Sequence, residues 1–129
     1  MKKLLWLDDF RNPLENNWLR FSPIGMDIDV YWVKSYNEFT IWIMTNGLPD
    51  GICFDHDLAD IHYNPNIIDD YEIRYLDDIE KTGYDCAKWL VNYCEKNNLR
   101  IPEYNIQSSN TVGKENIDML LKNYKKHCE

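Results

Sequence analysis

This chain is organised around the stretch Gly51-Ile52-Cys53-Phe54-Asp55-His56-Asp57-Leu58. Its apolar run, residues 52–54, predicts a short buried strand. The run ends abruptly in three ionisable residues, and the two carboxylates among them repel each other and are costly to bury without a partner. A strand end that opens into a solvated turn accounts for this pattern. A metal ion, a phosphate held by a metal, or a shared proton accounts for it as well.

A second apolar run ends in acidic residues in the same way. Residues 4–7 form the run, and Asp8 and Asp9 follow it directly. Structural ion networks also gather acidic residues, so either cluster alone is compatible with a surface role. Two clusters at the ends of two predicted strands favour a functional site.

Length and composition indicate a single folded domain over residues 1–129. Apolar residues make up 44% of the chain and aromatic residues 14%, which is enough for a hydrophobic core. The formal net charge of −8 argues against a broad nucleic-acid-binding surface, because such a surface needs a stripe of basic residues. A small pocket that binds one phosphate, through a metal and one or two basic residues, is compatible with this charge.

The sequence predicts neither membrane insertion nor export. No apolar segment approaches the roughly 18 residues of a membrane span, and the first apolar run leads directly into two aspartates. The four cysteines, at positions 53, 86, 94 and 128, contain no Cys-x-x-Cys pair. Free thiols in a reducing compartment are the simplest interpretation, and we therefore expect a cytoplasmic protein.

Apolar runs and helical periodicity alternate along the chain. Strands are predicted at residues 3–8, 28–34, 52–55 and 104–108, with a short helix within residues 14–20. Longer helices are predicted after the Ser35–Glu38 capping box, after Gly83 and after Gly113. Between residues 60 and 80 the alternation fails, because this segment holds seven acidic residues and one basic residue. We interpret residues 60–81 as an acidic insertion, either a lid or a solvated segment without a role.

Strands that alternate with helices predict an α/β fold with a mostly parallel sheet. Right-handed crossovers then bring the carboxyl ends of the strands to one edge, in the strand order 2-1-3-4, and ligands bind beyond that edge in such sheets. Carboxylates, an imidazole, amides and hydroxyls are expected to converge there, which predicts a functional site. They belong to Asp8, Asp9, Asp55, His56, Asp57, Gln107, Ser108, Ser109 and Asn110.

These motifs resemble the cyclic-phosphate processing receiver domain, a family related to the receiver domains of response regulators. Four stretches carry the resemblance, in the family's order and along nearly the whole chain. They are Leu5-Trp6-Leu7-Asp8-Asp9-Phe10-Arg11-Asn12-Pro13, Asp55-His56-Asp57-Leu58, Thr82-Gly83-Tyr84-Asp85 and Gln107-Ser108-Ser109-Asn110-Thr111-Val112-Gly113-Lys114-Glu115-Asn116. The resemblance implies a flavodoxin-like three-layer sandwich, here shortened and with the acidic insertion after strand three. It also implies that the protein processes cyclic phosphates, either in RNA repair or in systems of biological conflict.

Two features depart from these family patterns. Gln107 stands where the family usually has His, which removes a group able to act as an acid, a base or a ligand. The chain also lacks a clear fifth strand with the Lys that ordinary receiver domains place beside the acyl phosphate. Signalling through an aspartyl phosphate on Asp55 is therefore not the first expectation.

The residues themselves suggest a division of roles around a phosphate. Asp8, Asp9 and Asp55 are expected to hold one Mg²⁺, which takes oxygen ligands and would polarise a phosphate oxygen. Arg11 is expected to clamp a non-bridging phosphate oxygen, and a surface ion pair is the competing interpretation. His56 has a pKa range suited to proton transfer, and orienting its acidic neighbours is the competing role.

The remaining candidates complete the catalytic and phosphate-binding sets. Asp57 is expected to act as a second ligand or a base. Ser108 and Ser109 resemble the receiver hydroxyl that meets a phosphoryl group, or they cap a helix. Asn110 and the amides after it are expected to form an anion-binding helix start. The expected catalytic residues are Arg11, His56, Asp57 and Ser108, and the expected phosphate-binding residues are Arg11, Ser108, Ser109 and Asn110.

Three functions are compatible with such a site. The first is metal-assisted hydrolysis or opening of a cyclic phosphate on a nucleotide or RNA end, bound in a small pocket. The second is a non-catalytic or phosphorylatable receiver module that binds a phosphorylated ligand or a partner protein. The third is a phosphatase of the haloacid dehalogenase type, whose Asp-x-Asp pair Asp55 and Asp57 match. That family has its pair at the first strand and before a Thr, so the third function fits least well.

Overall fold

The computed structural model describes residues 1–55, 82–107 and 110–128, without the side chains of residues 127 and 128. Four parallel strands form one sheet in the order β2-β1-β3-β4. They are β1 (Lys2–Leu7), β2 (Ile28–Val33), β3 (Gly51–Phe54) and β4 (Glu103–Ile106). The α-helices of these ranges are α1 (Tyr36–Asn46), α2 (Gly83–Lys96) and α3 (Thr111–Cys128). The predicted α/β fold and strand order are confirmed, and the expected acidic insertion, residues 60–81, lies outside the described residues.

The two central strands, β1 and β3, are buried on both faces of the sheet. Every residue of the runs 4–7 and 51–54 is buried. A parallel strand that is covered on both sides has a continuous apolar sequence instead of an alternating one. The strand β2 lies at an edge of the sheet and is less deeply buried.

The two faces of the sheet have different covers. All three described α-helices pack on one face, where the sheet contributes Leu5, Leu7, Val33, Ile52, Phe54 and Ile106. On the other face, Leu4, Trp6 and Cys53 pack against the connection between β1 and β2. Right-handed crossovers explain this division, because the chain moves in one direction from β1 to β2 and in the opposite direction from β2 to β3.

The short helix predicted within residues 14–20 is confirmed only in its last part, and it is not an α-helix. The structure has a 3₁₀-helix at Trp18–Phe21, preceded by turns. Asn16 and Asn17 adopt left-handed backbone conformations, with φ of 52° and 59°. A right-handed α-helix does not continue through two such residues. The connection between β1 and β2 is therefore a folded loop that covers the sheet.

The other helix boundaries follow local capping. The Ser35 hydroxyl accepts a hydrogen bond from the Glu38 amide at 3.1 Å, which confirms the predicted start of α1. The helix α3 begins at Thr111, earlier than the sequence predicts. The reason is a cap at Asn110, whose side-chain oxygen accepts a hydrogen bond from the Gly113 amide at 2.9 Å.

The three described cysteines are all buried. Cys53 is a free thiol within the sheet, and Cys86 and Cys94 are also buried. Burial raises the pKa of the Cys53 thiol to about 12, so this group is not a nucleophile near neutral pH. Among the described helices, none combines the length and the apolar character that crossing a membrane requires.

A polar cluster joins α3 to β4. The Lys122 ammonium lies 2.9 Å from one carboxylate oxygen of Asp118, and the Tyr104 hydroxyl donates to the other at 2.9 Å. The hydrogen bond from Lys122 is the main reason that the pKa of Asp118 lies below its usual value. Desolvation raises this pKa in part, and the hydrogen bond from Tyr104 lowers it further. The ionised form of Asp118 therefore stabilises the folded chain.

This cluster predicts a pH dependence of stability. Because the folded-state pKa of Asp118 is lowered, its contribution is present above the ordinary value of about 3.9 and is lost as the pH falls through the folded-state value. We expect Asp118→Asn to lower the free energy of unfolding at neutral pH and to flatten its decline toward about pH 3. Urea denaturation across that range measures this. If the free energy of unfolding of Asp118→Asn falls with decreasing pH as steeply as that of the parent, Asp118 is not the source of this pH dependence.

Candidate functional site at the carboxyl edge of the sheet

The hydrogen-bond ladder of the sheet continues one residue past three of the strands. The amide of Asp8 donates to Val33 at 3.0 Å, that of Asp55 donates to Leu7 at 3.0 Å, and that of Gln107 donates to Phe54 at 2.9 Å. Asp8, Asp55 and Gln107 therefore lie side by side at the carboxyl edge. β1 and β3 are the adjacent strands at which the direction of the chain across the sheet reverses, and ligands bind at such points in α/β sheets.

Three carboxylates converge at this edge, and we call Asp8, Asp9 and Asp55 the carboxylate cluster. One oxygen from each lies within 4.8 Å of the others. Asp8 and Asp55 are buried, and Asp9 is half-buried. This arrangement confirms the predicted convergence of the three acids. Like charges at this separation disfavour one another, whereas a hard divalent cation takes such oxygen donors. The donor set therefore fits a divalent cation.

Asp8 organises the loop that follows β1. Its Oδ1 accepts hydrogen bonds from the backbone amides of Phe10 and Arg11, each at 2.9 Å. Its Oδ2 accepts a hydrogen bond from the Arg11 guanidinium at 3.1 Å. Asp8 is fully buried, and its carboxylate accepts hydrogen bonds from two backbone amides and from one charged side chain.

Arg11 lies on the carboxylate cluster and not on the open surface. Besides its contact with Asp8, its Nη1 is 3.9 Å from Asp55 Oδ2. The guanidinium also lies over the Trp18 ring, 5.2 Å from its centroid, so the 3₁₀-helix holds it from the other side. A simple surface ion pair does not describe this residue. The guanidinium neutralises part of the negative charge that the three aspartates bring together.

Two indole groups fix the backbone on which the site is built, and sequence reasoning missed them. Trp6 Nε1 donates to the Arg11 carbonyl at 2.9 Å, and Trp32 Nε1 donates to the Asp8 carbonyl at 2.7 Å. The two tryptophans are neighbours in the register of β1 and β2. A pair of tryptophans on adjacent predicted strands, close to an acidic strand end, is the signal that could have indicated this role.

Trp32→Phe is expected to lower the free energy of unfolding by about 1 kcal/mol, because the Asp8 carbonyl loses its indole donor. Trp42→Phe is the matched control. Within the described ranges the Trp42 indole shows no hydrogen bond, and its ring packs against Tyr31 with centroids 5.3 Å apart. Urea denaturation of both variants measures the difference. Equal losses in the two variants would show that ring packing, and not the bond to Asp8, accounts for the effect.

Gln107 contributes a buried amide to the same edge. Its Nε2 donates to the Leu7 carbonyl at 3.1 Å. That carbonyl also accepts the amide of Asp55, so one oxygen at the end of β1 joins three strands. Gln107 thus lies at the carboxyl edge beside Asp55, as the sequence predicts, although it follows β4 instead of belonging to the strand predicted at residues 104–108.

The other candidate residues are only partly covered by the structure. His56, Asp57, Ser108 and Ser109 lie outside the described residues, so their predicted roles stay predictions. Asn110 lies at the start of α3, as predicted for an anion-binding helix start, but its side chain already accepts the Gly113 amide.

Comparison with known protein families places the chain in a described family. A family model described as a cyclic-phosphate processing receiver domain matches residues 3–123, nearly the whole chain. Comparison with curated proteins and with solved structures gave no match.

Proposed function

The chain belongs to the cyclic-phosphate processing receiver domain family, and from this premise we propose that it processes a cyclic phosphate on a nucleotide or RNA end with the help of Mg²⁺. The carboxylate cluster is the observation that carries the proposal. Its three aspartates follow two adjacent strands, two of them are buried, and their oxygens come within 4.8 Å of one another. Burying this much negative charge is costly unless it is neutralised, and the Arg11 guanidinium neutralises only part of it, so a bound cation is expected.

The carboxylate cluster would hold the cation. Carboxylate oxygens are the ligands that Mg²⁺ takes in proteins, usually together with several waters. When bound, the cation supplies a Lewis acid that polarises a phosphate oxygen. The protein's own contribution is to fix the carboxylates: Asp8 through the amides of residues 10 and 11, and Asp55 through its place in the ladder.

Arg11 would bind the phosphate of the substrate. Its guanidinium already lies at the carboxylates, 3.1 Å from Asp8 Oδ2 and 3.9 Å from Asp55 Oδ2. A cation at the cluster would compete with the guanidinium for these oxygens, leaving its donors available to non-bridging phosphate oxygens. Arg11 would therefore exchange one anionic partner for another.

His56 is the proposed general acid or base, since it follows Asp55 directly and histidine is the residue type most often used for proton transfer near neutral pH. Asp57 would assist as a base or a further ligand, and Ser108, Ser109 and Asn110 would contact the phosphate.

We expect His56→Asn to keep the fold and cation binding but to lower turnover of the true substrate about 100-fold or more. Full turnover in this variant would reduce His56 to a structural residue.

The substrate would enter as a single phosphate-bearing end. The net charge of −8 disfavours a long nucleic-acid track, so a nucleotide or the end of an RNA is the better fit. Substrate affinity should then depend weakly on salt compared with that of proteins that contact many phosphates.

One observation favours a second candidate function, a receiver module that binds a phosphorylated ligand or partner or is phosphorylated on Asp55. Gln107 stands where the family usually has His, and an amide side chain does not transfer protons near neutral pH. A site that lost this titratable group could retain phosphate binding without catalysis.

Two incubations in the presence of Mg²⁺ separate these functions. In one, the protein is given a 2′,3′-cyclic nucleotide, and ring opening is followed by chromatography. In the other, it is given acetyl phosphate, and labelling of Asp55 is followed by mass spectrometry. Ring opening that EDTA abolishes supports the enzyme. Stable labelling of Asp55 without ring opening favours the receiver module.

A further inference from the structure

Gln107 carries a buried oxygen that no other described residue satisfies. The residue is 8% exposed. While its Nε2 donates to the Leu7 carbonyl, its Oε1 has no hydrogen-bond partner within the described ranges. The orientation of the amide follows from chemistry, because Oε1 in the place of Nε2 would face another acceptor. A buried acceptor without a partner is costly, which points to a ligand.

The position of this amide is set by two shared contacts. The Leu7 carbonyl accepts hydrogen bonds from Gln107 Nε2 and from the Asp55 amide, so the two donors lie around one oxygen. The backbone of Gln107 is bonded to Phe54, which makes Gln107 the neighbour of Asp55 on the β4 side. The side chain therefore extends from the end of β4 past β3 to the end of β1, where the carboxylate cluster lies.

We propose that Gln107 Oε1 is a fourth oxygen donor to the cation held by the carboxylate cluster; this inference rests on the proposed cation site. An amide oxygen is a hard donor of the type that Mg²⁺ and Ca²⁺ accept. The phosphate group of a cyclic phosphodiester cannot satisfy Oε1, because it carries no hydrogen to donate and all of its oxygens are acceptors. A cation satisfies it while also removing the repulsion among the carboxylates beside it.

A pair of substitutions isolates the role of the oxygen. Gln107→Met and Gln107→Glu keep a similar side-chain length, and both remove the Nε2 donor to Leu7. They differ in that only Glu retains oxygens. Calorimetric titration with Mg²⁺ measures the affinity, and the Mg²⁺-dependent rise in melting temperature is an independent readout that needs no substrate.

We expect Gln107→Met to bind Mg²⁺ about tenfold more weakly than the parent, a loss typical of removing one group around a metal site. Gln107→Glu should bind at least as tightly as the parent, because it adds a charged oxygen. If both variants weaken Mg²⁺ binding equally, Gln107 acts only through its bond to Leu7 and the inference is overturned. If Gln107→Met does not fold, weakened binding in Gln107→Glu overturns it, and binding at least as tight as the parent supports it.

Two further outcomes distinguish this inference from the proposed function. If the parent and Gln107→Met bind Mg²⁺ with the same affinity, the inference that Gln107 is a fourth ligand is overturned and the cation site stands. In that case, weaker binding of a 2′,3′-cyclic nucleotide by Gln107→Met would assign Oε1 to a substrate hydroxyl. Absence of Mg²⁺ binding in the parent overturns the cation site and the fourth ligand together.

Discussion

Replacing Asp8 with alanine is expected to lower the free energy of unfolding by about 3 kcal/mol. Asp8 is fully buried, and its carboxylate accepts the backbone amides of Phe10 and Arg11 and one guanidinium N–H of Arg11. Alanine leaves the two amides without this acceptor and removes the nearer of the two carboxylates beside Arg11. Alanine also removes the free-energy cost of burying a carboxylate. The lost contacts outweigh this gain, because no other described group accepts a hydrogen bond from the two backbone amides.

Asp8→Asn is the matched control for this effect. Asparagine keeps an acceptor oxygen for the amides of Phe10 and Arg11 but removes the charge and the oxygen that accepts from the Arg11 guanidinium, so a smaller loss of about 1 kcal/mol is expected. Urea denaturation measures the free energy of unfolding of both variants. The two values are compared directly when the free energy depends on urea concentration with the same slope in both. Equal losses in Asp8→Asn and Asp8→Ala would show that the contact with the Arg11 guanidinium, and not the acceptor for the two backbone amides, is what Asp8 contributes.

Replacing Asp55 with asparagine is expected to lower Mg²⁺-dependent turnover of a cyclic phosphate about 100-fold or more. The change keeps the size of the side chain and the backbone bond to Leu7 but removes one of three charges in the carboxylate cluster. Cation affinity in oxygen sites depends on the number of charged ligands. Part of the loss should therefore be recovered at high Mg²⁺ concentration.

Asp50→Asn provides the control at the opposite edge of the same sheet. Asp50 precedes β3 and accepts the Lys3 amide at 2.8 Å, far from the carboxyl ends of the strands. Turnover should be close to that of the parent, with the same dependence on Mg²⁺. A similar loss in both variants would mean that general charge or stability, and not the cluster, explains the effect of Asp55→Asn.

The parts of the site that could be predicted from the sequence depend on regular geometry. Two continuous apolar runs ending in acids mark two central parallel strands, and parallel strands bring their carboxyl ends to one edge. The convergence of Asp8, Asp9 and Asp55 follows from these two facts. The family resemblance adds the expected reaction, which spacing alone does not provide.

The parts that could not be predicted depend on contacts between distant residues. The Trp32 indole meets the Asp8 carbonyl across 24 positions of sequence, and Gln107 reaches Leu7 across 100. Such hydrogen bonds depend on how side chains pack after the sheet has formed. The turn at Asn16 and Asn17 was missed for a different reason: asparagine tolerates left-handed conformations, but it does not require them.

Calorimetric titration with Mg²⁺ measures directly whether the carboxylate cluster is a divalent cation site. The parent protein and Asp9→Asn are titrated under the same conditions, because Asp9 is the half-buried member of the cluster and its replacement disturbs the core least. We predict one saturable site in the parent and an affinity at least about tenfold weaker in Asp9→Asn. No Mg²⁺ binding by the parent, or the same affinity in both proteins, would contradict the cation site.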